Sequence, residues 1–245
     1  MDFDVNAASP ADSGLFGLPH GPGEAHVHVL GVPFEATTSY RPGTGGAPEA
    51  VLAASRQVDL FDLHFGKPYE RGIWMAPLDP QLASWDREAR GLAAPIIHRG
   101  GAEGDDLEAV ERVDAICDAV RREVATFTEQ RLEEGRLPVV LGGDHSTPLG
   151  AIEACAARFP GMGILQFDAH ADLREEWNGS RNSHACAMRR TLDFLPADRL
   201  LQVGIRSGTR EEFQEMRHAG RLISPGAPAL TAALAELGKR PLYIT

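Results

Sequence analysis

The chain has 245 residues, of which 43% are hydrophobic and 24% charged, and its formal net charge at pH 7 is −11. This length suits one large α/β domain or two small ones, and the lack of a run of 18 apolar residues argues against a membrane span. The acidic balance disfavours nucleic-acid binding and suits a small cationic substrate.

The N-terminal segment predicts no secretory signal, because MDFDVNAASPADSG has neither a basic stretch nor an apolar core. Residues 1–25 are rich in Gly, Pro, Ala, Asp and Ser without periodicity, so we expect a flexible N-terminal arm. The three cysteines, Cys117, Cys155 and Cys186, are scattered and show no CxxC spacing. They predict reduced thiols in a cytoplasmic protein.

From residue 26 onward, predicted strands and helices alternate. Strands are predicted at residues 26–33, 137–141, 161–167, 200–205, 221–224 and 241–245, with weaker candidates at 58–63 and 95–98 in the least regular part of the chain. Helices are predicted at residues 48–56, 107–134, 149–158, 184–192, 211–218 and 230–237. The alternation favours an α/β fold with a mostly parallel sheet covered on both faces, as a single domain over residues 26–245.

The stretch GILQFDAHADLR, residues 163–174, carries the first group of polar residues. An apolar run leads into Asp168, His170 and Asp172, which alternate with alanines and so point one way from an extended backbone. Two carboxylates and an imidazole at the end of a buried strand favour a bound divalent cation. The simpler alternative is a segment that caps a helix or lies in a solvated loop.

Geometry limits how these residues share a metal. In a straight strand, residues four apart lie about 13 Å from one another, whereas metal–ligand bonds are about 2.0–2.2 Å long. Asp168 and Asp172 therefore share an ion only if the chain curls just past the strand, or two ions lie side by side.

A second group, GGDHS, follows the predicted strand at residues 137–141. Its two glycines allow a sharp turn, after which His145 lies at the carboxyl end of a strand, the same sheet edge as Asp168. Asp144 would cap the next helix or orient a ligand. His145 alone would more often be a structural residue. Because we expect its strand, residues 137–141, to lie next to the strand at residues 161–167, a metal ligand is the better interpretation.

Together these motifs resemble the ureohydrolase family, which includes arginase, agmatinase, guanidinobutyrase and formiminoglutamase. The segments GVPFEATTSYRPG, SHACAMRR and VGIRSG resemble the agmatinase branch, and the resemblance runs from about residue 26 to the last residue. It implies a three-layer αβα fold of the arginase type. It also implies an assembly of trimers or hexamers.

The resemblance implies a site with two Mn²⁺ ions bridged by a hydroxide. By motif match, His145 and Asp172 would bind one ion, His170 the other, and Asp168 would bridge them. The hydroxide would attack the guanidinium carbon and release urea, and His184 matches the family's proton-shuttling histidine. Without the resemblance, His184 would be interpreted as a histidine at the start of a helix with no partner.

The expected substrate is agmatine, hydrolysed to putrescine and urea. The run LREEWNG after the second motif departs from arginase and resembles agmatinase. Glu175 and Glu176 within it would suit a substrate tail that has no carboxylate, or would simply be solvated. A guanidinobutyrase or formiminoglutamase activity is the alternative among enzymes, and a deacetylase-like amidohydrolase fits less well.

The sequence departs from the family in one respect. Members carry a third motif, a D-x-D pair that supplies the last two metal ligands, after a strand that resembles residues 241–245. This chain ends at that point, so we expect missing C-terminal strands, an unpaired sheet edge and weakened metal binding. A fragment of a longer enzyme and a non-catalytic ureohydrolase-like subunit are both consistent with this departure.

Overall fold

The structure, a computed structural model, describes residues 9, 10, 12–224 and 226–245. Within this part of the chain the strands are β1 Val27–Gly31, β2 Ile73–Met75, β3 Leu137–Leu141, β4 Gly163–Phe167, β5 Leu200–Val203, β6 Leu222–Ile223 and β7 Leu242–Ile244. The α-helices are α1 Ala47–Ala54, α2 Pro80–Arg99, α3 Leu107–Glu133, α4 Leu149–Arg158, α5 Ala187–Thr191, α6 Arg210–His218 and α7 Ala227–Leu237. The predicted alternation of strands and helices is confirmed.

The strands form two sheets, and every pairing among the described strands is parallel. One sheet has the order β2-β1-β3 and the other the order β6-β5-β4-β7. Parallel pairing requires crossover connections, which the intervening helices supply. The carboxyl ends of neighbouring strands in each sheet therefore share one edge, as expected.

Helices cover both faces of the larger sheet, which confirms the α/β layer arrangement. Ile164 of β4 packs in a cluster with Ile152 of α4 and Met188 of α5. Leu165, the next residue, packs on the opposite face with Leu237 of α7. Alternation along a strand explains this division, because successive side chains point to opposite faces.

Both of the weaker strand predictions are wrong. Residues 95–98 lie inside helix α2, and residues 58–63 form no strand. The buried residues of α2 are Leu82, Ala89, Ala93 and Ile96, a spacing that places them on one helical face. Pro95 removes one backbone donor, but the carbonyl that it leaves free belongs to Gly91, which is exposed to solvent.

The last part of the segment predicted to be a flexible arm, residues 1–25, packs against the rest of the domain. Leu15–Gly17 form a short 3₁₀ helix, and Leu15, Leu18 and Ala25 are buried. The backbone N–H of Phe16 donates to the hydroxyl of Ser55, 2.9 Å away, which ties this segment to the end of α1. Residues 1–8 and 11 lie outside the described residues, so the division of the chain at residue 26 stays a prediction.

A cleft of about 650 Å³ lies between β3 and β7, and side chains of both strands line it. Each of these strands pairs on one edge only among the described residues. The apolar side chains of Leu137 and Ile244 are 51% and 63% exposed there. The unpaired edge expected from the sequence is therefore present, and it faces a second unpaired edge across the cleft.

All three cysteines are free, as the sequence predicts, and all three are buried. Burial raises the pKa of the Cys155 thiol to about 11 and that of the Cys186 thiol to about 12. Both side chains are therefore protonated near neutral pH and behave as small apolar residues.

Across the described residues, no helix combines the length and apolar character that a membrane crossing requires.

The contact between α3 and α4 depends on Gly150. A Cβ atom at this position would collide with the carbonyl oxygen of Arg121 in α3, whereas one at the exposed Gly91 of α2 would meet nothing. We expect Gly150→Ala to lower the free energy of unfolding by roughly 1–3 kcal/mol because the helices must separate. Gly91→Ala should raise it by roughly 0.5–1 kcal/mol. Urea unfolding of both variants measures the difference, and equal effects would contradict this packing.

Candidate metal centre

Three predicted metal ligands converge at the carboxyl ends of the strands. Nδ1 of His145 lies 2.6 Å from Oδ2 of Asp172 and 3.4 Å from Oδ2 of Asp168. One potential ligand atom from each of the three residues lies within 4.8 Å of the others. An imidazole nitrogen and two carboxylate oxygens at this separation can bind one divalent cation.

The chain curls after β4, as sharing an ion requires. Asp172 has a φ of 53°, a left-handed conformation that is uncommon outside glycine. The carboxylate of Asp168 also accepts a hydrogen bond from the backbone N–H of His170, 2.9 Å away, which tightens the turn. These two features bring together carboxylates that would lie far apart in a straight strand.

Two buried glutamines support this turn from below, and the sequence analysis did not identify them. Gln166 of β4 and Gln202 of β5 are opposite one another in the sheet and fully buried. The amide of Gln166 donates to Asp168 Oδ2 at 3.3 Å and to the carbonyl of His170 at 3.2 Å. Gln202 donates to Gln166 at 2.7 Å and to the carbonyl of Ala171 at 2.9 Å. A polar residue inside an otherwise apolar strand was the available signal.

His145 reaches the other ligands from β3, in the smaller sheet. The expectation that β3 and β4 are adjacent is wrong, because β4 pairs with β5 and β7. Gly143 has a φ of 91°, and a Cβ atom there would collide with the carbonyl oxygen of Phe34. The tight turn before His145 thus requires glycine.

The carboxylates around His145 change its pKa. Burial, the largest single influence, lowers the pKa of the imidazole, but the hydrogen bond to Asp172 and the charges of Asp172, Asp168 and Asp144 together raise it. The net direction is upward, so the site attracts positive charge. The other ring nitrogen of His145, Nε2, lies 2.9 Å from the hydroxyl oxygen of Thr245.

His170 lies outside the three-residue group. Its side chain is 65% exposed, and its Nδ1 is 3.5 Å from Oδ1 of Asp168. It lines the same cavity as Asp172, with a volume of about 500 Å³. Its assignment as a metal ligand stays a prediction.

His184 also lines this cavity. It begins a short 3₁₀ helix, His184–Cys186, that leads into α5. Its Nδ1 lies 3.1 Å from the hydroxyl oxygen of Thr37, in the loop after β1. The cavity is therefore lined by one member of the three-residue group, Asp172, and by a histidine that is not part of that group.

Charged residues of the loop after Asp172 differ in their surroundings. Glu175 is paired with Arg190 at 2.9 Å and Arg189 at 3.2 Å, so its charge is already balanced by the protein. Arg174 lies over the ring of Trp177, 4.2 Å from its centroid, and both line the cavity. The acidic pair in the sequence thus gives weaker support for a cationic substrate tail than expected.

Glu212 of α6 fixes the loop to the rest of the domain. It is buried, and its carboxylate accepts hydrogen bonds from the backbone N–H groups of Leu173 at 3.1 Å and Thr209 at 2.7 Å. Leu173 is fully packed in the core behind the site. Asp172 is therefore held between a buried ladder of glutamines and an anchored leucine.

The donor set fits a hard divalent metal such as Mn²⁺. Carboxylate oxygens and one imidazole are typical ligands of Mn²⁺, although Zn²⁺ and Fe²⁺ use them as well. Asp172 is 6% and Asp168 23% exposed at the side chain, so their negative charges lie close together with little solvent to separate them. A cation bound between them would relieve this repulsion.

Known proteins resemble this chain over most of its length. A model of the arginase family matches residues 25–245. The N(1)-aminopropylagmatine ureohydrolase of Thermus thermophilus is 34% identical over 231 residues, which cover 91% of this chain and 67% of that protein. The agmatinase of Bacillus subtilis is 28% identical over 225 residues, with the same coverage of 91% and 67%. The chain spans about two thirds of the length of these relatives.

Solved structures show the same fold. The agmatine ureohydrolase of Thermoplasma volcanium superposes with a TM-score of 0.66 at 24% identity, covering 92% of this chain and 68% of that one. The arginase-like fold expected from the motifs is therefore confirmed. The chain belongs to the arginase family, on the branch that holds agmatinases and aminopropylagmatine ureohydrolases.

Proposed function

We propose that this protein hydrolyses the guanidino group of agmatine to give putrescine and urea. The observation that carries the proposal is the group of His145, Asp168 and Asp172. One of its members, Asp172, lines a cavity that His184 also lines. Relatives named agmatinase support the choice of substrate. The net charge of −11 also favours a cationic substrate.

The metal in this proposal is a pair of Mn²⁺ ions. His145, Asp168 and Asp172 would hold them, with His170 as a further ligand. A formiminoglutamase of Trypanosoma cruzi that shares the fold, with a TM-score of 0.66 at 16% identity, was solved with Mn²⁺. The bound ions would supply a water molecule that loses its proton near neutral pH.

Hydrolysis forms a C–O bond at the guanidinium carbon and breaks the bond between that carbon and the nitrogen that carries the alkyl chain. The leaving amine must take up a proton. His184 lines the cavity without belonging to the ligand cluster, so its imidazole is free to exchange that proton. A trimeric or hexameric assembly, implied by the family resemblance, stays a prediction.

N(1)-aminopropylagmatine is a second candidate substrate. The relatives that carry this activity in their names, from Thermus thermophilus and Synechocystis, are 34% and 33% identical, compared with 28% for the Bacillus subtilis agmatinase. The two substrates share the guanidinium group and differ in the tail. The same ligands and the same histidine would serve both reactions.

Substitution of one ligand tests the metal site. We expect Asp172→Asn to weaken Mn²⁺ binding by at least roughly tenfold, because it removes a charge at the cation while preserving the side-chain shape. Isothermal titration calorimetry measures the affinity. Asp198→Asn is a matched control, since the Asp198 side chain is 72% exposed. Equal affinities for the two variants would contradict the assignment.

A substrate panel tests the activity. With Mn²⁺ present, we expect urea from agmatine or N(1)-aminopropylagmatine but not from arginine or 4-guanidinobutyrate. His184→Asn should lower kcat by roughly 100-fold or more, because it removes a proton-transfer group. The affinity of the His184→Asn variant for Mn²⁺ should be unchanged.

Each contrary result of the panel has a distinct meaning. Urea released mainly from 4-guanidinobutyrate would favour the guanidinobutyrase alternative. Weak Mn²⁺ binding together with no urea from any substrate would favour a non-catalytic member of the family. Full activity in His184→Asn would show that another group protonates the leaving amine.

A further inference from the structure

The hydroxyl of Thr37 lies between Asp144 and His184. Its Oγ1 is 2.8 Å from Oδ2 of Asp144 and 3.1 Å from Nδ1 of His184. The backbone N–H of His184 also donates to Oγ1, at 2.9 Å. Thr37 is 4% and Asp144 7% exposed, so water does not replace these contacts.

The hydrogen bonds around Asp144 decide the direction in which the Thr37 hydroxyl donates. Oδ2 accepts from the backbone N–H of Thr37 at 3.1 Å, and Oδ1 accepts from the backbone N–H and hydroxyl of Ser146 at 3.0 and 2.5 Å. With these donors directed at it, Asp144 acts as an acceptor only. The Thr37 hydroxyl therefore donates its one proton to Oδ2.

The direction of that bond fixes the tautomer of His184. Because the Thr37 hydroxyl points its proton at Asp144, Oγ1 presents only lone pairs to the imidazole. Nδ1 of His184 must then be the protonated nitrogen, and it donates to Thr37. Ser183 Oγ, 3.3 Å from the same nitrogen, can accept from it as well.

The other nitrogen remains available to a ligand. No described residue forms a hydrogen bond with Nε2 of His184, while the side chain lines the cavity beside Asp172. In the neutral imidazole Nε2 carries a lone pair, so it is the atom that can accept a proton or, once protonated, donate one.

We propose that Thr37 is a positioning residue: held by Asp144, it keeps the proton of neutral His184 on Nδ1 and leaves Nε2 to exchange a proton in the cavity. The tautomer follows from the hydrogen bonds of this chain alone. The use of Nε2 to protonate the leaving amine rests on the proposed function. The two parts are therefore tested by different measurements.

Nitrogen-15 NMR of histidine side chains tests the tautomer without any substrate or metal. The His184 signals are identified by their loss in His184→Asn, and spectra are recorded above the pH at which they stop titrating. We expect the Nδ1-protonated pattern in the wild type and in Thr37→Ser, which keeps the hydroxyl. Thr37→Val should shift the signals toward the other tautomer or an average of both.

A neighbouring residue supplies the control for this experiment. Thr38 is the next residue, and its buried hydroxyl has no hydrogen-bond partner among the described residues. Thr38→Val should leave the His184 tautomer unchanged. An Nε2-protonated His184 in the wild type, or a pattern that Thr37→Val leaves intact, would overturn the proposal.

Kinetics of the Mn²⁺-loaded protein test the second part. Thr37→Val should lower kcat by up to about 100-fold, because the imidazole loses its orientation. KM should change little, because the substrate-binding site stays intact. Thr37→Ser should restore most of kcat. Melting temperatures show whether each variant is folded.

The outcomes separate the two proposals. Unchanged kcat in a folded Thr37→Val variant would overturn the positioning role. If the wild type releases no urea, the proposed function fails, but the NMR pattern of His184 still confirms or overturns the role of Thr37.

Discussion

The repulsion between the carboxylates of Asp168 and Asp172 is the constraint on which the rest of the site depends. The two side chains come from one short segment, and both lie within reach of His145 Nδ1. Like charges at this distance in a poorly solvated position raise the free energy of the folded state unless a cation or a protonated imidazole lies between them. Burial lowers the pKa of His145, but the hydrogen bond to Asp172 and the charges of the nearby carboxylates outweigh that effect and raise the pKa.

Much of the surrounding structure holds these charges in place. Gln166 and Gln202 form a buried polar ladder beneath the turn, and Glu212 anchors its far end through Leu173. The side-chain amides of the two glutamines donate four hydrogen bonds, and these bonds hold the backbone of the turn in one arrangement. On the other side of the cavity, Asp144 holds Thr37 and thereby His184. The three candidate metal ligands and His184 are thus supported by different parts of the chain.

The sequence predicted the parts of the fold in which local pattern and burial agree. Helix α3 has apolar residues at helical spacing, and strands β3 and β4 are short apolar runs ended by glycine or aspartate. The failures came where the two signals conflict. Pro95 and the isoleucines after it suggested a strand, but Ala89, Ala93 and Ile96 are buried along α2, and their burial stabilises a helix despite the proline.

Prediction of the site followed the same rule. His145, Asp168 and Asp172 were found because their spacing and position at strand ends imply a shared location. The roles of Thr37 and Gln202 could not be predicted, because they depend on contacts between segments 147 and 36 residues apart along the chain. The position of His170 depends on the tight turn after β4, and an extended strand would place its side chain elsewhere.

The most direct test of this account is anomalous X-ray diffraction near the manganese absorption edge from crystals of this chain grown with Mn²⁺. The account predicts an anomalous peak within about 2.0–2.2 Å of a His145 nitrogen and of oxygens from Asp168 and Asp172. Manganese bound only at other carboxylates, with no peak between these three residues, would contradict it.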